Sequence, residues 1–580
     1  MGGDKALVTI TTPEVPASGA SPRLRVFVID VSGSMSAPAL VQVAGGAREE
    51  TGKSILDVVC DSTLAAIATL GPHDGAAIVS FSDFATVRMG ETRMDEAGKA
   101  RAKQVLRELR PGGPTHLWDG LEKGMELIRV ALEAGSEMAK CASVDLLTDG
   151  LPNVDPPNPY GFVPSLKDYF RANAFRPLIN CLGFGSNIQQ EVLDELAREG
   201  GGLFSFIPSP DMVATNFVNA AAAFGSAYTL TPTLRYGVGQ GGAHGEGGSL
   251  VPGVSLGLLP YGARVSVLVD TPPGAPPLSS FALRPGGAAG GMARAVERNP
   301  DEATAGAACL TAWRRRLVDT LRTCKQKGQL GDYAGALALV RGMSEGMRGE
   351  SREALGEAAG AGLTCLLADV EGQVAIALSR PEYFQQWGSA YLLSLARAHE
   401  LQLCANFKDP GLQGYATPYF KTLQGTAGAT FRAALAAANA ETAARTPEGG
   451  GGGGGFHHQQ QQQQQYSRGS GSAPPPPAAP PRAAAAQALF DPAGGCVHGE
   501  GLVLLADGVT RVRMDALRVG ARVALVHPPG ATGVVTHTVR TRVEPGVEMV
   551  ALKSGLVATA WHPVEVGGGG ASPRGRPWGR

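Results

Sequence analysis

A chain of 580 residues has room for three or four domains of ~150 residues each. Its 51 Lys and Arg against 52 Asp and Glu leave a net charge of −1, which excludes a strongly basic nucleic-acid or anionic-membrane surface as its main business. No run of ~20 apolar residues is evident, and Met1-Gly2-Gly3-Asp4-Lys5 lacks the charged-then-apolar order of a secretory signal, so the expectation is an intracellular, cytoplasmic protein with no membrane span.

In chain order, residues 6–12 alternate like a half-exposed edge strand, and residues 13–22 lead from it to a strongly apolar segment. That segment, 24–31, is branched and continuous, as in a buried parallel strand, and ends in Asp30-x-Ser32-x-Ser34. Residues 45–50 read as a surface insertion and 53–70 as a helix. A hairpin over 76–81 and 85–89 follows, then an amphipathic helix over 95–109. Gly112-Gly113-Pro114-Thr115 opens a further helix, with Thr115 placed to cap it. A second buried strand, 144–148, ends in Asp149, and the Pro-rich residues 151–164 read as a loop beside it. Strand 177–184, helix 191–197, strand 203–207 and helix 212–224 complete an alternation that implies a doubly wound parallel sheet, with ligands at the carboxyl ends of its strands.

Asp30, Ser32, Ser34, Thr115 and Asp149 would then converge on one crevice, and all five offer oxygen ligands to a hard cation. In this order they resemble the metal-ion-dependent adhesion site of the von Willebrand factor A domain, over residues 23–224. The resemblance implies Mg²⁺ or Mn²⁺ held by hydroxyls and water-bridged carboxylates, with a position left for an acidic side chain of a partner protein. No phosphate-cradling Gly-x-x-x-x-Gly-Lys, no His-Glu-x-x-His and no Ser-His-Asp order is found, so a binding domain is expected here in place of an enzyme active site.

From residue 225 the texture changes. Residues 228–238 and 262–270 alternate as in a small β unit, and 271–300 read as a loop or linker. Residues 304–321, 333–343 and 352–370 are expected to be helices packed in antiparallel pairs, within a helical module over 301–445. The segment Tyr383 to Leu392, with Arg397-Ala398-His399 and Asn406 to Gly411, is similar to a module that accompanies A domains in proteins with intein-like domains and in RING-bearing ubiquitin ligases. That likeness raises an alternative role as a substrate-recognition adaptor of the ubiquitin machinery. No Cys-x-x-Cys pair supports a RING, however. Trp387, Tyr391 and Phe407 are expected to anchor a core, and His399 to be a satisfied interior or helix-end histidine.

Residues 446–486 carry a glycine run, His457-His458, glutamines 459–465 and prolines 474–477, the composition of a disordered tether. Beyond it, Gly495-Cys496 opens a run of short strands over 502–505, 509–512, 522–526, 533–538 and 549–553, closed by Thr559-x-x-His562. These features resemble the Hint domain of hedgehog proteins and inteins, spanning 487–566. The resemblance implies that the Cys496 thiolate attacks the Gly495 carbonyl while His562 protonates the departing amine and Thr559 orients the bond. After Val566 come Gly567 to Gly570 and a basic tail over 567–580, with no terminal Asn, so a truncated domain incapable of splicing is expected.

Overall fold

The computed structural model describes residues 5–16, 22–42, 48–173, 175–209, 212–237, 254–270, 280–284, 292–293, 302–351 and 355–445, together with six three-residue strands between 502 and 559. The first half is built on a six-stranded sheet. Labelling from the amino terminus, its strands are β2 (Leu24–Asp30), β3 (Gly75–Phe81), β4 (Ala85–Arg93), β5 (Ala142–Thr148), β6 (Leu178–Phe184) and β7 (Gly201–Ile207), with β1 (Lys5–Thr11) lying elsewhere. The spatial order is β4-β3-β2-β5-β6-β7, parallel throughout except for β4, which turns back on β3.

β2 is central and buried along its whole length. Its alternate residues divide the domain into two cores. Phe27 and Ile29 face helices α1 (Ile55–Ala68), α2 (Glu96–Glu108) and α6 (Val213–Gly225). Leu24, Val26 and Val28 face α3 (Leu117–Glu133), α4 (Phe162–Ala172) and α5 (Gln190–Glu199). A strand buried on both faces gains little from polar alternation, which is why its sequence is a continuous apolar run.

A buried ion pair ties the middle of the sheet. The Arg25 guanidinium donates to Asp145 Oδ2 from Nε at 2.8 Å and from Nη2 at 2.6 Å, and Asn180 Nδ2 donates to Asp145 Oδ1 at 2.7 Å. The same guanidinium lies 4.9 Å from the Phe27 ring centre and 5.3 Å from that of Phe224.

The helical module packs directly on this domain. It comprises α7 (Glu302–Gln329), α8 (Tyr333–Gly349), α9 (Glu357–Asp369), α10 (Ser389–Leu401) and α11 (Pro418–Arg445). Helix α10 is shared between two cores: Ala390 and Leu393 complete the sheet's second core, whereas Leu392, Leu395 and Ala396 lie in the module's own. It lies along the edge strand β7, where the Ser394 hydroxyl donates to Phe204 O at 3.1 Å and Arg397 Nε to Gly202 O at 2.8 Å. Helix α11 covers α6, with Phe431 against Phe217 at 6.5 Å between ring centres. Charged contacts add Arg322 to Asp194 at 2.6 Å and the close pair Lys325–Glu191. Burial would push Glu400 up, but Arg397, Arg198 and Arg322 together hold its carboxyl below the usual range.

Within the module His399 is fully buried, as expected of a satisfied interior histidine. Its Nε2 meets Asp369 Oδ2 at 3.1 Å and its Nδ1 meets the Tyr415 hydroxyl at 2.9 Å, while Gly411 N donates to Asp369 Oδ1 at 2.9 Å. Only glycine fits at 411, since a β-carbon there would stand 2.1 Å from Asp369 Oδ2. Trp387, Tyr391 and Phe407 pack against the cores as anchors. Asp369→Ala leaves two buried donors without an acceptor, at about 1–3 kcal/mol each. A drop of at least ~2 kcal/mol is therefore expected in urea unfolding, and a loss below ~0.5 kcal/mol would contradict this account of the network.

Several expectations need correction. Residues 48–54, read partly as an insertion and partly as helix, form Arg48–Ser54, a strand paired with Pro38–Gln42, and α1 begins only at Ile55 behind a Ser54–Asp57 capping box. The loop expected over 151–164 ends early, because α4 starts at Phe162 with Pro164 tolerated in its first turn. The edge strand expected over 6–12 forms as β1, in a two-stranded sheet separate from the main one. It pairs with β8 (Arg264–Asp270), in register from Lys5 opposite Asp270 to Thr11 opposite Arg264. The stretch 271–300 is not all linker, as Ser280–Arg284 pairs with both Thr233–Gly237 and Met292–Ala293.

By length and composition Glu357–Leu378 could cross a membrane, with a mean hydropathy of 1.4, contrary to the expectation that no such run exists. Its Leu363, Leu366, Val370, Val374 and Leu378 are nevertheless buried in the module core, and Asp369 in its middle is bonded to His399.

Candidate metal centre

Three chain segments meet at the carboxyl ends of β2 and β5. β2 delivers Asp30 and passes through Ser32 into a 3₁₀ turn, Gly33–Ser36, that presents Ser34. The loop before α3 brings Thr115, and β5 ends at Thr148 immediately before Asp149. Backbone bonds lock the segments together: Gly33 N donates to Gly113 O at 2.9 Å and Gly112 N to Val31 O at 2.7 Å. Gly113 adopts φ +84°, a conformation that disfavours side chains.

Asp30 is completely buried. Its Oδ1 accepts from Ser32 N at 2.8 Å and its Oδ2 from the Thr148 hydroxyl at 2.5 Å. The Ser32 and Ser34 hydroxyls are 3.1 Å apart, and Ser34 Oγ donates to Asp149 Oδ1 at 2.7 Å. Thr115 is 4% exposed, and Gly150 locates its side chain. A β-carbon built on Gly150 would stand 3.3 Å from both Ser34 Oγ and Thr115 Oγ1 and 3.9 Å from Asp30 Oδ2. The structure thus brings Asp30, Ser32, Ser34, Thr115 and Asp149 around one small space that Gly150 leaves open.

Thr115 does not cap the helix. α3 begins at Leu117 with His116 in the cap position and no side-chain cap bond. The Thr115 N–H instead donates to Asn153 Oδ1 at 2.7 Å, which ties the loop after Asp149 to the loop before α3. Thr148, Gly150 and Asn153 escaped sequence reading. The only signal was the run Thr148-Asp149-Gly150 at a strand end, where Thr looks like an ordinary β residue.

Burial pushes the Asp149 carboxyl up to about 6, opposed by the Ser34 hydrogen bond and assisted by the negative charge of Asp30. Burial likewise raises Asp30, against hydrogen bonds from Ser32 and Thr148. Among the described residues no basic side chain pairs with either acid. Two buried carboxylates beside three hydroxyls, without a counter-charge, fit a small divalent cation. The all-oxygen donor set selects a hard ion over one that prefers thiolate or imidazole.

Cys496 and His562 lie outside the described residues, and Thr559 ends the strand Val557–Thr559, which pairs with Met549–Ala551. The other short strands pair as Leu502–Leu504 with Arg511–Arg513 and Arg522–Ala524 with Thr532–Val534. The tether expected over 446–486 and the tail over 567–580 also lie outside the described residues.

The mixed sheet with helices on both faces and a crevice lined by five oxygen-bearing side chains at its carboxyl edge defines an α/β domain of the von Willebrand factor A type. Residues 25–151 match the family model of the von Willebrand factor type A domain, 361–428 that described as VWA / Hh protein intein-like, and 495–575 that of the Hint-domain. The chain thus carries a von Willebrand factor type A domain, followed by segments that match an intein-associated module and a Hint-domain. Among curated proteins it is similar to inter-alpha-trypsin inhibitor heavy chain H3 of Mus musculus, 31% identical over 184 residues, which cover 31% of this chain and 19% of that one. Heavy chain H4 of Sus scrofa is 29% identical over 187 residues, covering 32% and 18%. The matched region spans about a fifth of the length of these relatives. Among solved structures, a von Willebrand factor type A protein from Catenulispora acidiphila aligns over 68% of this chain and 96% of its own, at 16% identity and a TM-score of 0.44. These matches lend no support to a role in the ubiquitin machinery.

Proposed function

We propose that residues 23–224 bind Mg²⁺ or Mn²⁺ through Asp30, Ser32, Ser34, Thr115 and Asp149, and through that ion an acidic side chain of a partner protein. The observation that carries this reading is the pair of buried, unneutralised carboxylates facing three hydroxyl oxygens across the space left by Gly150. The bound cation would supply a Lewis-acidic attachment point for a carboxylate. The chain's own part is to hold the hydroxyls in place, to keep the acids dry and to leave the mouth open, where Ser34 is exposed.

Titration calorimetry on the full chain tests it. The wild type is expected to bind Mg²⁺, and Asp30→Ala and Ser34→Ala to lose at least tenfold in affinity, about 1.4 kcal/mol. Ser34 sits at the mouth, so its variant keeps the fold even if the Asp30 variant does not. Equal binding by Ser34→Ala and the wild type overturns the reading.

A second activity is supported by where the Hint-domain match begins, at Gly495. In this reading the Cys496 thiolate attacks the Gly495 carbonyl carbon and the peptide C–N bond breaks. The freed amine takes a proton from His562, leaving a thioester, and Thr559 holds the scissile bond. An external thiol then accepts the acyl group, releasing residues 1–495 and restoring the Cys496 thiol. In dithiothreitol, intact mass spectrometry should show the wild type split after Gly495, with Cys496→Ala and His562→Ala whole. A folded wild type that stays intact for days contradicts this.

A further inference from the structure

Residues 402–417 link α10 to α11, and two buried carboxyl groups fasten them. Asp369 of α9 meets Gly411 N and the His399 ring, as described above. The second, Asp409, lies inside the link and is 3% exposed. Its Oδ1 accepts from the Tyr391 hydroxyl of α10 at 2.9 Å, and its Oδ2 from Asn406 Nδ2 at 2.7 Å. Both partners are neutral, so an ionised Asp409 is a charge taken out of water without an ion pair, and the charge of Asp369 acts against it as well.

This surrounding suits the acid as well as the carboxylate. A hydroxyl is both donor and acceptor, so Tyr391 can give its proton to the carboxylate or receive one from the acid, and Asn406 Nδ2 donates to the second oxygen in either form. What differs is the penalty of burial, which falls on the charged form alone. Burial, with the charge of Asp369, pushes the Asp409 carboxyl up, against hydrogen bonds from Asn406 and Tyr391.

The other titratable or charged groups around the link are Asp369 on α9, Tyr391 and His399 on α10, Cys404 and Tyr415 in the link itself, Arg314 on α7 and Lys421 on α11. Burial pushes Cys404 and Tyr415 up to about 12 and Tyr391 well above its ordinary value, so these three stay neutral. Arg314 lies 5.9 Å from the Tyr415 ring centre and keeps its charge throughout. Proton uptake in this cluster is thereby confined to Asp409, Asp369 and His399.

We propose that Asp409 is a proton-operated latch: the protonated acid closes the α10–α11 link onto α9 and α10 and holds the first turn of α11 in place, and ionisation loosens both. The sign follows from linkage. A carboxyl raised by folding above its ordinary 3.8 contributes fully below that value, and the contribution is lost as pH rises through the raised one. Mild acid therefore tightens this part of the molecule.

Hydrogen exchange of the full chain tests it, over a pH series from about 8 to about 4 and corrected for the intrinsic pH dependence of exchange. The amides to follow are Gly411, Leu412, Tyr415 and Lys421, each bonded to an acceptor in the structure, with Phe27 and Val28 of β2 as the reference. In the wild type their protection relative to β2 is expected to rise about tenfold or more as the pH falls. Asp409→Asn, which keeps the shape and carries no charge, should show the acid-end protection at every pH. Wild-type protection that is flat or falls with acid overturns the latch. So does a rise shared equally by β2, or an Asp409→Asn protein that retains the wild-type pH dependence, which would assign the proton to Asp369 or His399. Should the variant not fold, the carbon-13 resonance of the Asp409 carboxyl in the wild type decides: a midpoint above 3.8 supports the latch, and one at or below 3.8 overturns it.

Discussion

Asp145→Ala is expected to cost the protein about 3–5 kcal/mol of unfolding free energy, the typical penalty for stranding one member of a buried ion pair. Arg25 and Asp145 are 3% and 2% exposed, so water cannot reach the guanidinium left behind. Arg25 Nη1 already has no hydrogen-bond partner among the described residues, and removing Asp145 would orphan Nε and Nη2 as well. The loss falls on the centre of the sheet, one strand over from the Asp30 carboxylate, so metal binding should fail with it. Urea unfolding monitored by circular dichroism measures the effect. The double variant Arg25→Met/Asp145→Leu should recover most of the loss, because the cost lies in the unpaired charge and not in a missing contact. A single-variant loss below ~1 kcal/mol would mean that the site is wetter than its burial indicates.

Gly150→Val is expected to remove metal binding at a smaller cost in stability, about 1–3 kcal/mol for overpacking a buried position. Gly150 lacks a left-handed φ, so a side chain brings no backbone strain there. Its first carbon would nevertheless stand 3.3 Å from the Ser34 and Thr115 hydroxyl oxygens, in the space they share. The two γ-methyl groups of Val would crowd that space further. Mg²⁺ affinity should fall by at least a hundredfold, about 2.7 kcal/mol, in a protein that still unfolds cooperatively. A Gly150→Val protein that binds Mg²⁺ as the wild type does would show that this space is not where the cation sits.

The parts of this architecture that were legible are those governed by one-dimensional patterns. The run 24–31 is continuously apolar because β2 is covered on both faces, and a carboxylate or hydroxyl that follows such a run has to emerge at the strand's end. That logic, together with the family resemblance, singles out Asp30, Ser32, Ser34 and Asp149, which the fold brings to one crevice. Thr115 was placed in the right crevice for the wrong reason, since a Thr before an apolar helical period reads as a cap, whereas Gly113 and Asn153 set its actual geometry. Helix α4 was hidden by the prolines around it and by Gly161, although Phe162, Leu166 and Tyr169 are spaced as a helix face. Strand Ser280–Arg284 lies among Pro, Gly and Ala, and its pairing with Thr233–Gly237 spans some 50 residues of sequence that no local pattern records. The sharing of α10 between two cores was likewise invisible, because its all-round apolar surface suits either partner.

The most direct test of the central claim is an anomalous difference map from crystals of the full chain grown in Mn²⁺. The account predicts one strong peak between the hydroxyl oxygens of Ser32, Ser34 and Thr115, with Asp30 and Asp149 in its immediate surroundings, and its disappearance in Ser34→Ala crystals. A map without a peak in that crevice, at Mn²⁺ concentrations that saturate the protein in solution, would contradict it.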